Sequence, residues 1–505
     1  MSITQNTISN LVFSLSKSLS GLILIPLFVG QVGKESYGIV VLLLGIVGYA
    51  ELFDLGLKPA LVRNLTAEKL DKKSENEVFI AALAGSGFYF ITSILFLVPA
   101  IFFLGSRFGL PKQLVESPII YLFVVFYLFI NIVSPIFSAL LISKNRFDLV
   151  NYRSSFFTIL GIGLTIFLVW ITDLSYYAWM IATLFSKTME LLVLIFLSKK
   201  YFPNLGIQFS LFSWGRLGSL IGFGWKILLS KWNKKIKFDS DPLVLSYFLG
   251  PASLAIYRPG SALVQSIRPI VSSMAGQLFV SASKAHRDEN KKSLQFLLIS
   301  GSKFTVLAYL PIFFTFCFYG EWIINLWLGK AYEPQDIHLI YQVLLFWALI
   351  DLFFYIEGSA YSILFGINQL DFMIKADLVV SLINVVCSVV LIKYFNMGIL
   401  SVLIPGVIIE FFVRVAFFIN TAKRIDLSYW DCLNQYFIPL ITLFLLFIFP
   451  VWLLSAQTFS LWIQIPIYFV MIVTLYPVLA WKLVMNDEER RLVSEKFGRF
   501  IPFIA

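Results

Sequence analysis

Lys226, Lys234, Lys237 and Asp241 follow one another at steps of eight, three and four, which keeps them near one face of a helix, with Ser230 on the same stripe. Ammonium groups lining a cavity of low dielectric create a positive field suited to an anionic group such as a phosphate or pyrophosphate. Lys231 and Lys235 flank the stripe. The alternative is a shorter or tilted helix whose lysines snorkel to the interface. Arg258 and Arg268 add two cations, each directly followed by a proline. Proline frees a carbonyl one turn back, so an adjacent polar residue tends to sit where irregular backbone meets a cavity. For both arginines the choice lies between phosphate binding and a structural pair with Asp239 or Asp241. Lys303 and Lys17 are further candidates for the same cationic cavity, and either could snorkel instead.

The acids divide differently. Glu51, Asp54 and Lys58 form a line at steps of three and four, which suggests an internal Asp54–Lys58 pair or a coupling-ion role. Asp351 and Glu357 have no cation within one turn, leaving a protonatable site or a partner on another helix. With Asp239 and Asp241 these make the candidate coupling acids: Asp54, Glu51, Asp239, Asp241, Asp351 and Glu357. Glu410 and Arg414, four apart, read as a local pair, and Glu190, three after Lys187, as structural. His286 and His338 carry no ligand pattern, and Cys317, Cys387 and Cys432 are isolated in or beside apolar segments, as packing residues would be. No metal site and no cofactor are expected, save a proton or sodium ion for coupling. The sequence has no GxxxxGK[ST], HExxH, GxSxG or CxxC. A self-contained ATP-driven pump and the commoner hydrolases are thereby excluded, and no enzymatic activity is expected.

The elements that must position these residues are membrane helices. Of 505 residues, 59% are hydrophobic and only 13% charged, which is too little polar surface to cover a soluble fold. About fourteen apolar segments long enough to span a bilayer can be marked. They lie near 7–30, 37–61, 78–104, 118–142, 154–171, 177–198, 217–240, 243–277, 294–320, 337–364, 376–394, 397–420, 436–455 and 461–484. The fold class is therefore all-α, with the first apolar stretch read as a retained helix. Lys and Arg concentrate in the loops after even-numbered segments and in the tail, which puts both termini in the cytoplasm. That asymmetry also accounts for the net charge of +10 without a nucleic-acid partner. Six segments (1–200) precede a polar linker (201–216) and six follow it (217–420). Two more (421–484) precede a basic tail (485–505). Any repeat between the halves would be parallel. A short match, GKESYGI at 33–39 against GPASLAI at 250–256, is a trace of one.

The opening FSLSKSLSGLILIPLFVGQVGKESYGIVVLLLGIVGYAELFDLGLKPALVRNLTAEK resembles the first helix pair of a known family. This is the polysaccharide transporter branch, including Wzx-type O-antigen flippases, of the multidrug/oligosaccharidyl-lipid/polysaccharide exporter superfamily. PLVLSYFLGPASLAIYRPGSAL (242–263) and INLWLGKAY (324–332) resemble the same family's segments. The resemblance implies two six-helix lobes in a V around a central cavity, plus two C-terminal helices. It implies a bacterial inner-membrane flippase that moves undecaprenyl-pyrophosphate-linked sugar repeat units outward by alternating access, exchanging protons or sodium. The family's head-group role carries over to Lys226, Lys234, Lys237, Arg258 and Arg268. Expected partners are the lipid-linked oligosaccharide, membrane lipid and, by analogy alone, a polysaccharide polymerase or chain-length regulator. Two alternatives stay open: a small-molecule or drug-ion antiporter of the same fold, and a non-transporting component of polysaccharide assembly.

Overall fold

Within lipid each backbone N–H and C=O must find its partner inside the protein, and long apolar runs meet that demand as helices. The computed structural model describes residues 3–67, 71–287, 290–367, 370–457 and 459–497, and contains no strand among them. The helices, in chain order, are α1 (Ile3–Gly48), α2 (Leu57–Ala67), α3 (Lys72–Leu104), α4 (Lys112–Val115), α5 (Pro118–Ser143), α6 (Phe147–Ile171) and α7 (Tyr176–Tyr201). They continue with α8 (Trp214–Leu249), α9 (Ala252–Arg287), α10 (Lys291–Leu328), α11 (Pro334–Glu357), α12 (Ala360–Gly366) and α13 (Leu370–Phe395). The last are α14 (Leu403–Arg424), α15 (Tyr429–Cys432), α16 (Ile438–Ser455), α17 (Leu461–Val470), α18 (Tyr476–Leu479) and α19 (Asp487–Phe497). Among the described residues, eleven helical stretches are long and apolar enough to cross a membrane. That number does not by itself give fourteen passes. One stretch, Ile8–Phe53, contains a break, and α8 and α9, 36 residues each, are not among the eleven.

Two compact units emerge. The first comprises Met1–Ser266, Leu328–Asp336 and Ile374–Val402, and the second Ile267–Trp327, Ile337–Met373 and Leu403–Ala505.

In the first unit, two glycines set the geometry. Gly33 interrupts α1 at φ 83°, ψ 165°, and Gly250 ends α8 at φ 81°, ψ 169°. This region of backbone space is open essentially only to glycine. The short match between 33–39 and 250–256 thus marks two turns of the same backbone shape. The turns also meet, since a Cβ added to Gly38 would lie 1.9 Å from the Pro251 carbonyl oxygen. A boundary expected after residue 240 falls instead at Gly250. Pro242 is accommodated inside α8, and the chain turns only where glycine permits it. Lower on α8, Gly224 packs against the irregular backbone that follows Tyr49–Phe53, with Leu55 O 1.9 Å from where its Cβ would be. Trp232 Nε1 donates to Leu52 O at 2.7 Å. Leu57, Leu61, Ile80, Ile136, Leu140 and Leu220 form the apolar core joining α2, α3, α5 and α8.

Gly33→Ala tests this reading. Among the described residues beyond its own stretch of chain, no atom lies within 4 Å of the added Cβ, so the cost is backbone strain, about 1–3 kcal/mol. A lower midpoint in thermal unfolding of the detergent-solubilised protein is the expected result. An unchanged midpoint would mean that the turn is free to relax.

In the second unit, hydroxyl side chains hold α10 against α11 and α12. Tyr309 Oη donates to Ala348 O at 3.1 Å, and Ser302 Oγ accepts from Ser359 N–H at 3.1 Å. Tyr476 Oη donates to Leu307 O at 2.7 Å. The break between α11 and α12, at Gly358 with φ +52°, leaves Glu357 as the last residue of α11. A Cβ on Gly358 would lie 2.5 Å from Ser302 Cα, so this turn packs directly on α10.

Candidate functional site

In the first unit, Arg258 stands out. It is exposed, on a stretch of α9 otherwise made of apolar and small residues, and makes no ion pair among the described residues. Lys17, on α1, is likewise exposed. Asp241 is buried and accepts a hydrogen bond from Tyr257 Oη at 2.8 Å. The side chains of Lys226, Lys234, Lys237 and Asp239 lie outside the described residues, and so does the test of the lysine stripe. Of the flanking lysines, Lys235 is buried, with its ammonium 5.4 Å from the centroid of the Tyr49 ring. Glu51 is exposed on the short 3-10 turn Tyr49–Phe53, while Asp54 Oδ1 accepts from Gly56 N–H at 3.0 Å and so fixes the chain reversal into α2.

A second cluster in this unit joins α6 and α7. Glu190 Oε1 accepts from Ser154 Oγ at 2.7 Å and lies 3.3 Å from Arg153 Nη2, while Oε2 takes Lys187 Nζ at 2.8 Å. Glu190 is therefore structural, as its spacing from Lys187 suggests. Arg153 is the residue that sequence reasoning missed. With the fifth apolar segment starting at 154, Arg153 reads as a loop residue, whereas α6 begins at Phe147 and carries it inside the bundle.

In the second unit, three helices bring five charges together in buried pairs. Arg268 on α9 grips Asp351 on α11, with Nε 2.9 and 3.0 Å from the two carboxylate oxygens and Nη2 bonded to Oδ1. Asp351 is 0% exposed, and the guanidinium lies 5.3 Å from the Trp347 ring centroid. The Tyr309 and Tyr355 rings pack 4.7 Å apart and lie within electrostatic reach of this pair. Arg414 on α14 donates through Nε to Glu410 at 2.6 Å and through Nη1 to Glu357 of α11. The expected Glu410–Arg414 pair is present, and the partners of Asp351 and Glu357 do come from other helices. Arg268, read from the sequence as either a phosphate ligand or a structural partner of Asp239 or Asp241, is paired with Asp351. Lys303 is also buried, with Nζ 3.0 Å from both Glu489 Oε2 and the Val484 carbonyl oxygen.

Buried charges cost least when paired, as Asp351, Glu357, Glu410, Arg414 and Lys303 are, whereas Arg258 is exposed. Among the described residues no group of three or more His, Cys, Asp or Glu is placed to hold a metal ion. Cys317, Cys387 and Cys432 are free thiols.

These helices define a class: a multi-pass membrane protein. The fold is similar to that of the lipid II flippase MurJ in an inward closed conformation, with a TM-score of 0.71 and 15% identity, covering 97% of this chain and 99% of that one. It is similar also to an inward-facing multidrug resistance MATE family transporter of the MOP superfamily, with a TM-score of 0.62, 18% identity, and coverage of 82% and 94%. A candidate O-antigen transporter of Shigella flexneri is 20% identical over 358 residues, which are 68% of this chain and 81% of that protein. The family described as polysaccharide biosynthesis protein matches residues 32–336, more than half of the chain, and the chain belongs to that family. The resemblance carried by the first helix pair and by residues 242–263 and 324–332 agrees with this membership.

Proposed function

We propose that the protein is a flippase for a lipid-linked oligosaccharide. Its cargo would be an O-antigen or similar repeat unit on undecaprenyl pyrophosphate, moved from the cytoplasmic to the outer leaflet of a bacterial inner membrane, with both termini cytoplasmic. The observation that carries the reading is Arg258, a permanently charged, exposed guanidinium without an ion-pair partner among the described residues, within the segment that matches the family. A guanidinium can offer two parallel N–H bonds to phosphate oxygens, which suits a pyrophosphate head group whose lipid tail stays in the bilayer. Lys17 and the α8 lysines Lys226, Lys234 and Lys237 would add to the same field. In alternating access, a proton or sodium ion would bias one arrangement of the helices over the other. Asp351 and Glu357 are buried acids suited to sense it. A polysaccharide polymerase or chain-length regulator would take over the product.

The test is leaflet sidedness of an undecaprenyl-pyrophosphate-linked oligosaccharide in proteoliposomes, with and without pH or sodium gradients. Loss of a charge-assisted hydrogen bond is worth about 1.5–3 kcal/mol, so Arg258→Ala should slow translocation by about tenfold or more while the protein still folds. If the wild type moves no lipid-linked sugar but does move a soluble organic cation, the reading fails in favour of a drug-ion antiporter.

A further inference from the structure

Arg153 makes fewer hydrogen bonds than its burial demands. Its side chain is only 6% exposed, yet among the described residues Nε and Nη1 have no hydrogen-bond partner. Three of the five guanidinium N–H bonds are carried by those two nitrogens. Nη2 alone is occupied, by Ser154 Oγ at 3.1 Å and by the Glu190 carboxylate. Glu190 cannot supply the rest. Both its oxygens are engaged, Oε1 by Ser154 and Arg153 and Oε2 by Lys187. Within the cluster, two cations face one carboxylate, and the second of them, Lys187, is 36% exposed. Buried donors left open carry a desolvation penalty. An oxyanion beside Arg153 relieves it and balances the second cation.

We infer that Arg153, with Lys187, forms an anion site on α6 and α7 that takes a phosphate group, either the head group of a membrane lipid or free phosphate. Lys187, whose side chain is 36% exposed, marks the open side of the cluster. Phosphate is the chemistry that matches, because its several acceptor oxygens can serve Nε and Nη1 together and its charge suits the two cations. The site is distinct from Arg258 and stands whether or not the cargo is an oligosaccharide.

The test uses the full chain, purified in phosphate-free detergent buffer. Thermal unfolding is followed as inorganic phosphate is added, against sodium chloride at matched ionic strength. In a parallel arm, the protein is placed in phosphatidylglycerol nanodiscs without free phosphate, and bound lipid is counted by native mass spectrometry. Wild type should show a saturable stabilisation by phosphate, or retain one lipid, and the arm that responds names the source. Lys187→Gln, on the partly exposed side and so compatible with folding, should weaken the response about tenfold. Arg153→Lys, which keeps the charge but loses the planar donors, should abolish it. If neither arm responds in wild type, or if both variants respond as wild type does, water satisfies the guanidinium and the site does not exist.

Discussion

Arg414→Met is expected to destabilise the protein by about 3–5 kcal/mol, the usual cost of removing one partner from a buried ion pair. The side chains concerned are 4% exposed for Arg414, 1% for Glu357 and 7% for Glu410, so no solvent stands ready to replace the guanidinium. Methionine fills much of the same volume between the Phe354 and Phe417 rings, which lie 5.5 and 5.6 Å from the guanidinium carbon. Lost packing is then a minor part of the loss, and the larger part is two carboxylates deprived of their counter-charge. The same logic predicts non-additivity. Combining Arg414→Met with Glu357→Gln and Glu410→Gln should recover more than half of the loss, because neutral amides do not need the cation. Denaturant-induced unfolding in detergent, followed by tryptophan fluorescence, measures both effects. A loss below about 1 kcal/mol for the single change would mean that the three residues are held by packing and that their charges are incidental.

The network also shows where sequence reasoning stops. Glu410 and Arg414 were legible because a helix repeats every 3.6 residues, so a spacing of four is a spatial contact. Glu357 was not legible as their third member, since its approach depends on how α11 packs against α14. Arg268 suffered the same limit. For a structural pair, chain proximity offered only Asp239 and Asp241, whereas Arg268 grips Asp351, 83 residues away. The class of fold, by contrast, followed from composition alone, because a chain with 13% charged residues can be solvated only by lipid. The turns at Gly33 and Gly250 lay between these extremes. Their short sequence match was visible, but its meaning depends on both glycines adopting a conformation closed to other residues. Arg153 was lost to a boundary error, since an apolar count naturally begins a membrane segment after the last charge. A buried arginine therefore shortens the apparent helix that contains it.

Lys303→Met should release the terminal helix α19 from the core of the second unit. Glu489 is the hinge of this prediction. Its Oε2 accepts from the Asn486 N–H at 2.8 Å while Asn486 Oδ1 accepts from the Glu489 N–H at 2.8 Å, a reciprocal box that starts α19. The same carboxylate is 0% exposed, taking Ser300 Oγ at 2.5 Å through Oε1 and Lys303 Nζ at 3.0 Å through Oε2. One side chain thus both caps α19 and fastens it to α10. Without the ammonium, the carboxylate can regain a polar environment only by leaving the core, and α19 must leave with it. The penalty is about 3–5 kcal/mol if the helix stays docked, so undocking is the cheaper response and the global fold survives. Limited trypsin digestion reads this directly at Arg490 and Arg491, where cleavage should accelerate by about a hundredfold if opening costs at least ~2.7 kcal/mol in the wild type. Lys303→Met with Glu489→Gln should restore slow cleavage, because an amide tolerates the apolar neighbour and still accepts the capping bond. That double variant also separates two roles for Lys303. If translocation is lost with Lys303→Met and returns when the tail is redocked, Lys303 acts as the anchor of α19. If translocation stays lost while cleavage is slow, the ammonium itself serves the cargo, as its position among the cavity candidates would require.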